Sequence, residues 1–328
     1  MNRKYISFKK FGSPEDVLVV DETMIQPLAS DEVLVRMLAR PINPSDLIPI
    51  RGSYAHRISL PAIPGYEGVG IVEKVGASAC KSLIGKRVLP LRGEGTWQEY
   101  VKAPANLAIP VPHTIDNFTA AQMYINPITA WVICTEILML KPTDVLLVNA
   151  CGSAIGHIFA QLSKVLGFRL IAITRSNTYT EQLLKLGASH VINTTENSLQ
   201  ETVMTLTNGA GANAAIDSIG GSPGTELAFC LRPQSQFLTI GLLSGIQVDW
   251  AKIAKEAQVN AKIFHLRHWN KSISVAHWQN TFQQITALIE RQQLTLMPAV
   301  AEFNLINVKE AVHYVETVQN RMGKVFLI

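Results

Sequence analysis

The feature that most constrains this chain is a repeat of short apolar runs and helix-spaced stretches beginning at Asp144. DVLLVNA (144–150) is followed by the glycine-containing turn CGSAIG (151–156) and an amphipathic segment that stops at Gly167. RLIAITR (169–175), the helix TEQLLKLG (180–187) ended by Gly187, HVINT (190–194) and a helix around Leu199–Leu206 continue the series. NAAIDSIGG (213–221) and QFLTIGLLSG (236–245) complete it. Short strands separated by helices of roughly 10–15 residues must be joined by crossovers, which makes the sheet parallel. The middle of the chain reads as a doubly wound, nucleotide-binding α/β domain.

The first 110 or so residues have a different rhythm. VLVV (17–20), EVLVRMLA (32–39), GVGIVEKVG (68–76) and RVLPL (87–91) are β patterns broken by Gly and Pro, as in a barrel-like β module. Near residue 115 helical spacing begins, with Thr114 or Asp116 as N-cap. WQNTFQQITALIERQQL (278–294) reads as one more amphipathic helix, and MGKVFLI closes the chain as a strand. At roughly 150 residues per domain, 328 residues make about two domains. With 48% hydrophobic and 16% charged residues, a disordered chain is excluded.

Other functional classes fall away on charge and spacing. A net charge of +4 without a Lys/Arg block gives no nucleic-acid footprint. Cys80, Cys134, Cys151 and Cys230 form no CxxC pair, and no HExxH spacing occurs, which argues against a disulfide scaffold or a structural zinc lobe. The charged N-terminus MNRKYISFKKFG does not read as a signal peptide. Within the apolar stretch Ala120–Leu140, the residues Gln122, Asn126, Pro127 and Glu136 argue against a membrane span. The expectation is a cytoplasmic protein with a small-molecule substrate and no membrane or nucleic-acid partner.

A buried strand, a glycine turn and then a helix place backbone N–H groups and a helix dipole where a pyrophosphate can bind. Of the three glycines of the GxGxxG pattern only the third is present, at Gly156; Cys151 and Ser153 hold the other two positions, with Gly152 between them and Ala154 and Ile155 after them. The next strand ends Thr174-Arg175-Ser176-Asn177, without the acid that would hold an unphosphorylated ribose. Arg175, 19 residues past Gly156, can instead pair with a 2′-phosphate. NADPH is favoured over NADH.

Several motifs carry a resemblance. PINPSD (41–46), LPAIPGYEGVG (60–70), GTW (95–97) and NPITA (126–130) resemble the zinc-free branch of the medium-chain dehydrogenase/reductase superfamily. RGSY (51–54), NACGSAIG (149–156) and the terminal GK before VFLI look like mitochondrial-type 2-enoyl thioester reductases, and NADPH:quinone reductases share most of this scaffold. The resemblance implies a GroES-like β-rich catalytic domain, residues 1–122 with 268–328, and a Rossmann domain, residues 123–267, with the active site in the cleft between them. It also implies a homodimer joined through the edges of the Rossmann sheets.

At the positions where zinc-dependent relatives carry metal ligands, this sequence has Asn43 and Tyr66, and no Cys lies near Asn126 before Cys134. An amide and a phenol are poor zinc ligands, so the resemblance implies catalysis without a metal. In the enoyl thioester reductases a tyrosine after the INPSD segment protonates the reduced substrate, and Tyr54 matches it. Tyr66 reads as a pocket wall and Glu67 as support for the fold. Asn126 and Thr129 match residues that meet the nicotinamide and its ribose. Ile240, Gly241, Leu242 and Leu243 match a segment beside the nicotinamide, and Phe264, His265 and Leu266 one along the cofactor. His265 stands where those reductases often have Trp. Lys324 matches a lysine that reaches the NADPH phosphate. Asp217 reads as structural, and the cysteines as core thiols, with Cys151 alone beside the loop and open to alkylation. Three activities stay open: enoyl thioester reduction, quinone reduction, or NADPH binding without turnover. Acyl length and carrier are not legible.

Overall fold

The structure is a computed structural model that describes residues 2–53, 55–318 and 322–328. The first strands are β1 (Asn2–Phe8), β2 (Leu18–Met24), β3 (Glu32–Pro41), β4 (Val69–Val75), β5 (Arg87–Pro90), β6 (Tyr100–Pro104) and β7 (Ala108–Pro110). Next come β8 (Val145–Val148), β9 (Arg169–Thr174), β10 (His190–Asn193), β11 (Ala212–Asp217), β12 (Leu231–Thr239) and β13 (Asn260–Ile263). The chain closes with β14 (Ala299–Phe303) and β15 (Lys324–Leu327). It divides into two compact units, one running to Ile125 and resuming over Ser274–Ile328, the other covering Asn126–Ile273. No helix among the described residues is long and apolar enough to cross a membrane.

The first unit is built around β3, which pairs antiparallel with β4, β6 and β15. Its alternation places Val33, Val35 and Met37 in a core shared with Val72, Val88, Val101, Ala103 and Ala108. β15 arrives from the far end of the chain, with Phe326 opposite Pro41 and Leu327 opposite Arg40, and β14 runs parallel beside it. The buried Arg40 guanidinium donates to the carbonyls of Thr96, Gln98 and Leu327, tying the β15 return to the segment that leads into β6. The sequence places a strand at residue 17, but Pro14–Val17 is a helical turn, with Pro14 at its first position, and β2 starts one residue later. Asp116, not Thr114, caps the helix Asn117–Ala121, accepting from the Phe118 and Thr119 amides at 2.8 and 3.0 Å.

The second unit is a six-stranded, all-parallel sheet in the order β10-β9-β8-β11-β12-β13. All four residues of β8 are buried, as expected for a central parallel strand covered on both faces. The chain runs outward one way from β8 through β9 and the other way from β11, so the carboxyl ends of β8 and β11 mark the switch point. β13 has no counterpart in the sequence reading: its four residues are mostly exposed at the sheet edge and carry little apolar signal.

Candidate active site

At the carboxyl end of β8 the chain turns through Ala150, whose φ is +52°, into a 13-residue helix, Ala154–Leu166. Ser153 is its N-cap, and its hydroxyl accepts the Gly156 amide at 3.4 Å. The amides of Ala154 and Ile155 precede the first intrahelical bond and stay available to an anion. A Cβ on Gly156 would lie 2.4 Å from the Cys151 Cα, so only glycine lets helix and turn pack this closely. At Gly152 it would lie 2.5 Å from the Tyr179 ring. Cys151 is not the open thiol expected. It is fully buried, its Sγ donates to the Val148 carbonyl, and burial pushes it up to about 12. Cys80 is the exposed cysteine, and a hydrogen bond with Ser82 lowers its pKa.

At the end of β9, Arg175 is exposed and makes no hydrogen bond or ion pair with the described residues. Ser176 shares a hydroxyl contact with Thr178 at 3.1 Å. Asn177 donates to both oxygens of Glu196, at 2.9 and 3.1 Å. That carboxylate comes from the loop after β10. The sequence reading missed it because only sheet pairing brings residues 177 and 196 together.

A network joins the ends of β8 and β11. The Asn149 amide donates to Asp217 at 2.6 Å, and its oxygen accepts the Ser218 N–H at 2.8 Å. Asp217 also receives the amides of Ile219 and Gly220. The loop after β12 is held here, with Ile240 N–H on the Asp217 carbonyl at 2.8 Å and Leu243 N–H on the Ser218 carbonyl at 3.1 Å. A Cβ at Gly241 would meet that Ser218 carbonyl at 2.8 Å, so glycine lets loop and strand approach; Leu242 follows, and Leu243 is exposed. The Ser218 hydroxyl is buried without a partner among the described residues. It is a candidate ligand-binding group that no motif signals.

Phe264 is buried, and its amide bonds the Thr239 carbonyl at 2.9 Å, continuing the β12 register. His265 caps the helix Leu266–Ser272, its ring edge-on to His268 at 5.3 Å. Thr129 is buried and Asn126 half-buried on the helix Ile125–Val132.

The first unit holds a second polar cluster. The Asn43 side-chain amide donates to Glu67 at 2.8 Å, and its oxygen accepts the Lys324 ammonium. Glu67 also receives the Ile125 amide at 2.8 Å, and Asp46 the Asn43 amide at 2.8 Å. Burial pushes Asp46 up to about 7 and raises Glu67, with the Lys324 charge opposing both. Lys324 is only 8% exposed, so any contact with a phosphate has to be made from inside this cluster. A cavity of about 270 Å³ lies beside it, bordered by Asp46 and Tyr66. Tyr54 lies outside the described residues.

Residues 29–113 match the alcohol dehydrogenase GroES-like domain, and residues 154–291 the domain called zinc-binding dehydrogenase. The mitochondrial enoyl-[acyl-carrier-protein] reductase of Bos taurus is 32% identical over 304 residues, covering 90% of this chain and 80% of its own. This chain belongs to the medium-chain dehydrogenase/reductase family. A crystal structure of a Bacillus thuringiensis protein, provisionally described as an NADPH:quinone reductase, is 64% identical to this medium-chain dehydrogenase/reductase, with a TM-score of 0.98 over 100% of this chain and 99% of that one. The Escherichia coli quinone oxidoreductase complexed with NADPH is 25% identical, with a TM-score of 0.90 over 99% of both chains.

Proposed function

We propose that this chain is an NADPH-dependent, zinc-independent reductase of conjugated carbonyl acceptors, with the C=C of a 2-enoyl thioester as its foremost substrate. The observation that carries this reading is the set of groups at the carboxyl ends of β8, β9 and β11. The Ala154 and Ile155 amides precede the first intrahelical bond, Gly156 lets their helix pack against the turn, Ser218 offers a buried hydroxyl without a partner among the described residues, and Arg175 is an exposed cation for a 2′-phosphate. The expected segments Ile240–Leu243 and Phe264–Leu266, with Asn126 and Thr129, complete the cofactor contacts in this reading. NADPH, when bound, supplies a hydride to the β-carbon of the acceptor.

The chain's own residues then have to manage charge without a Lewis acid. Asn43 is engaged by Glu67 and Lys324, and the Tyr66 phenol is a poor metal ligand, which supports the zinc-independent reading. Hydride at the β-carbon leaves an enolate that needs a proton at the α-carbon. In this reading Tyr54 donates it, because a phenol of pKa about 10 is protonated at neutral pH. The exposed edge strand β13 is the surface on which a second copy would pair.

The second reading is quinone reduction, favoured by the 64% identity to the Bacillus thuringiensis protein. One experiment separates them: NADPH turnover of crotonyl-type thioesters and of a benzoquinone, by wild type and Tyr54→Phe. The expected result is a drop in enoyl turnover of about 10²–10⁴-fold, the range of general acid catalysis. Enoyl turnover unchanged by Tyr54→Phe would remove the proton donor. Quinone turnover indifferent to that change, with no enoyl turnover in wild type, would establish the second reading. Absence of NADPH consumption with either acceptor would leave a cofactor-binding protein without turnover.

A further inference from the structure

The turn after β9 and the loop after β10 meet at one point on the rim of the parallel sheet. β10 pairs in register with β9, so that Asn193 stands opposite Thr174. Three residues past each of them come Asn177 and Glu196. The Glu196 side is fixed by its own backbone. The buried Asn193 takes the Glu196 and Asn197 amides on its carbonyl at 3.2 and 3.0 Å, and the Thr195 hydroxyl on its side-chain oxygen at 2.8 Å. From this turn both carboxylate oxygens of Glu196 accept from the Asn177 side-chain amide, at 2.9 and 3.1 Å. Arg175, two residues before Asn177, is exposed and makes no hydrogen bond or ion pair with the described residues. Two residues span at most about 7 Å of chain, which the long arginine side chain can cross. A carboxylate and a guanidinium thus lie within reach of each other, and the carboxylate is bonded to an amide instead.

We propose that Asn177 sets the cofactor preference indirectly: it ties up the Glu196 carboxylate and so keeps the Arg175 charge open to the 2′-phosphate of NADPH. The inference rests on the NADPH reading above and deepens it, naming a positioning residue and the competing acid that it restrains. A carboxylate settled on Arg175 would cancel the charge that a 2′-phosphate needs and would repel the phosphate itself. It would also restore, from the neighbouring strand, the acid that the end of β9 lacks and that suits an unphosphorylated ribose. An exposed ion pair shifts an equilibrium by up to about fivefold. Releasing Glu196 should therefore weaken NADPH binding by about three- to fivefold, while NADH, which has no 2′-phosphate, keeps its affinity.

Fluorescence titration of the full chain with NADPH and with NADH gives both Kd values for wild type, Asn177→Ala, Glu196→Ala and the double variant. Asn177→Ala should raise the NADPH Kd about three- to fivefold and leave the NADH Kd unchanged. Glu196→Ala alone should leave the NADPH Kd within about twofold of wild type, because its carboxylate is already engaged. Added to Asn177→Ala, it should restore the wild-type NADPH Kd. The loss in Asn177→Ala should also fade at about 1 M salt, where charges are screened within about 3 Å. Asn177→Leu, close in size and without an amide, repeats the release if the alanine variant folds poorly. A loss that Glu196→Ala does not restore would overturn the proposal and put Asn177 on the phosphate itself. An NADPH Kd that neither Asn177 variant moves would overturn it as well. Both of those outcomes leave the wild-type preference for NADPH intact. A wild type that binds NADH as tightly as NADPH would instead remove the NADPH reading, and the proposal with it.

Discussion

Asn149 donates its side-chain amide to Asp217 at 2.6 Å and accepts the Ser218 N–H at 2.8 Å, so one residue spans the carboxyl ends of β8 and β11. Both strands end where the strand order of the sheet reverses, and the amides of the turn that follows β11 need partners beyond the strand ladder. The Asp217 carboxylate does that work, holding Asn149 and the amides of Ile219 and Gly220.

Asp217→Ala should therefore destabilise the second unit by about 2–4 kcal/mol, since a buried donor left unsatisfied costs about 1–3 kcal/mol and several are released together. Urea denaturation followed by circular dichroism measures this. A change below about 0.5 kcal/mol would mean that other groups satisfy those donors.

Arg175→Ala should raise the NADPH Kd by about 10- to 100-fold, the factor expected for a charge-assisted hydrogen bond, and leave the NADH Kd nearly unchanged. Fluorescence titration with each nucleotide gives both values. Equal losses for the two would place Arg175 away from the 2′-phosphate.

Asp46 gives a pH dependence whose sign is fixed by its burial. Its carboxyl titrates near 7 in the fold against 3.8 when free, so between about 4 and 7 the folded chain holds a proton that the unfolded chain has released. Its contribution is complete below about 4 and is lost as pH rises through 7. Asp46→Asn keeps the acceptor for the Asn43 amide and removes the titration. The variant should gain stability relative to wild type between pH 4.5 and 7.5, read as the difference in urea midpoints. A pH-independent difference would show that Asp46 ionises normally.

Brief alkylation of the native chain with iodoacetamide should label one thiol, Cys80, and denaturation should expose the rest. Cys134, Cys151 and Cys230 are buried, and burial pushes all three thiols up. Peptide mass spectrometry identifies the site. Early labelling at Cys151 would show that the turn after β8 opens in solution.

Some of this was legible before any coordinates. The helix Leu199–Leu206, the Gly187 stop, the strand at β8 and the packing glycine at Gly156 all follow from periodicity and from the conformations glycine alone permits. Those signals are local: each depends on residues a few places apart, so the sequence displays them directly. By itself the sequence determined the parallel dinucleotide sheet, the β-rich module before it and the lack of an acid at the end of β9.

The tertiary structure decided what distant residues do to one another. Lys324 meets Asn43 because β15 inserts beside β3, 281 positions away along the chain. Glu196 reaches Asn177 because β10 lies next to β9, and Cys151 is sealed because Gly156 draws its helix against the turn. The hydroxyl of Ser218 and the cavity behind Tyr66 have no local pattern at all. Burial and long-range pairing set their chemistry, because desolvation and contact depend on the neighbours a side chain acquires only when the whole chain has closed.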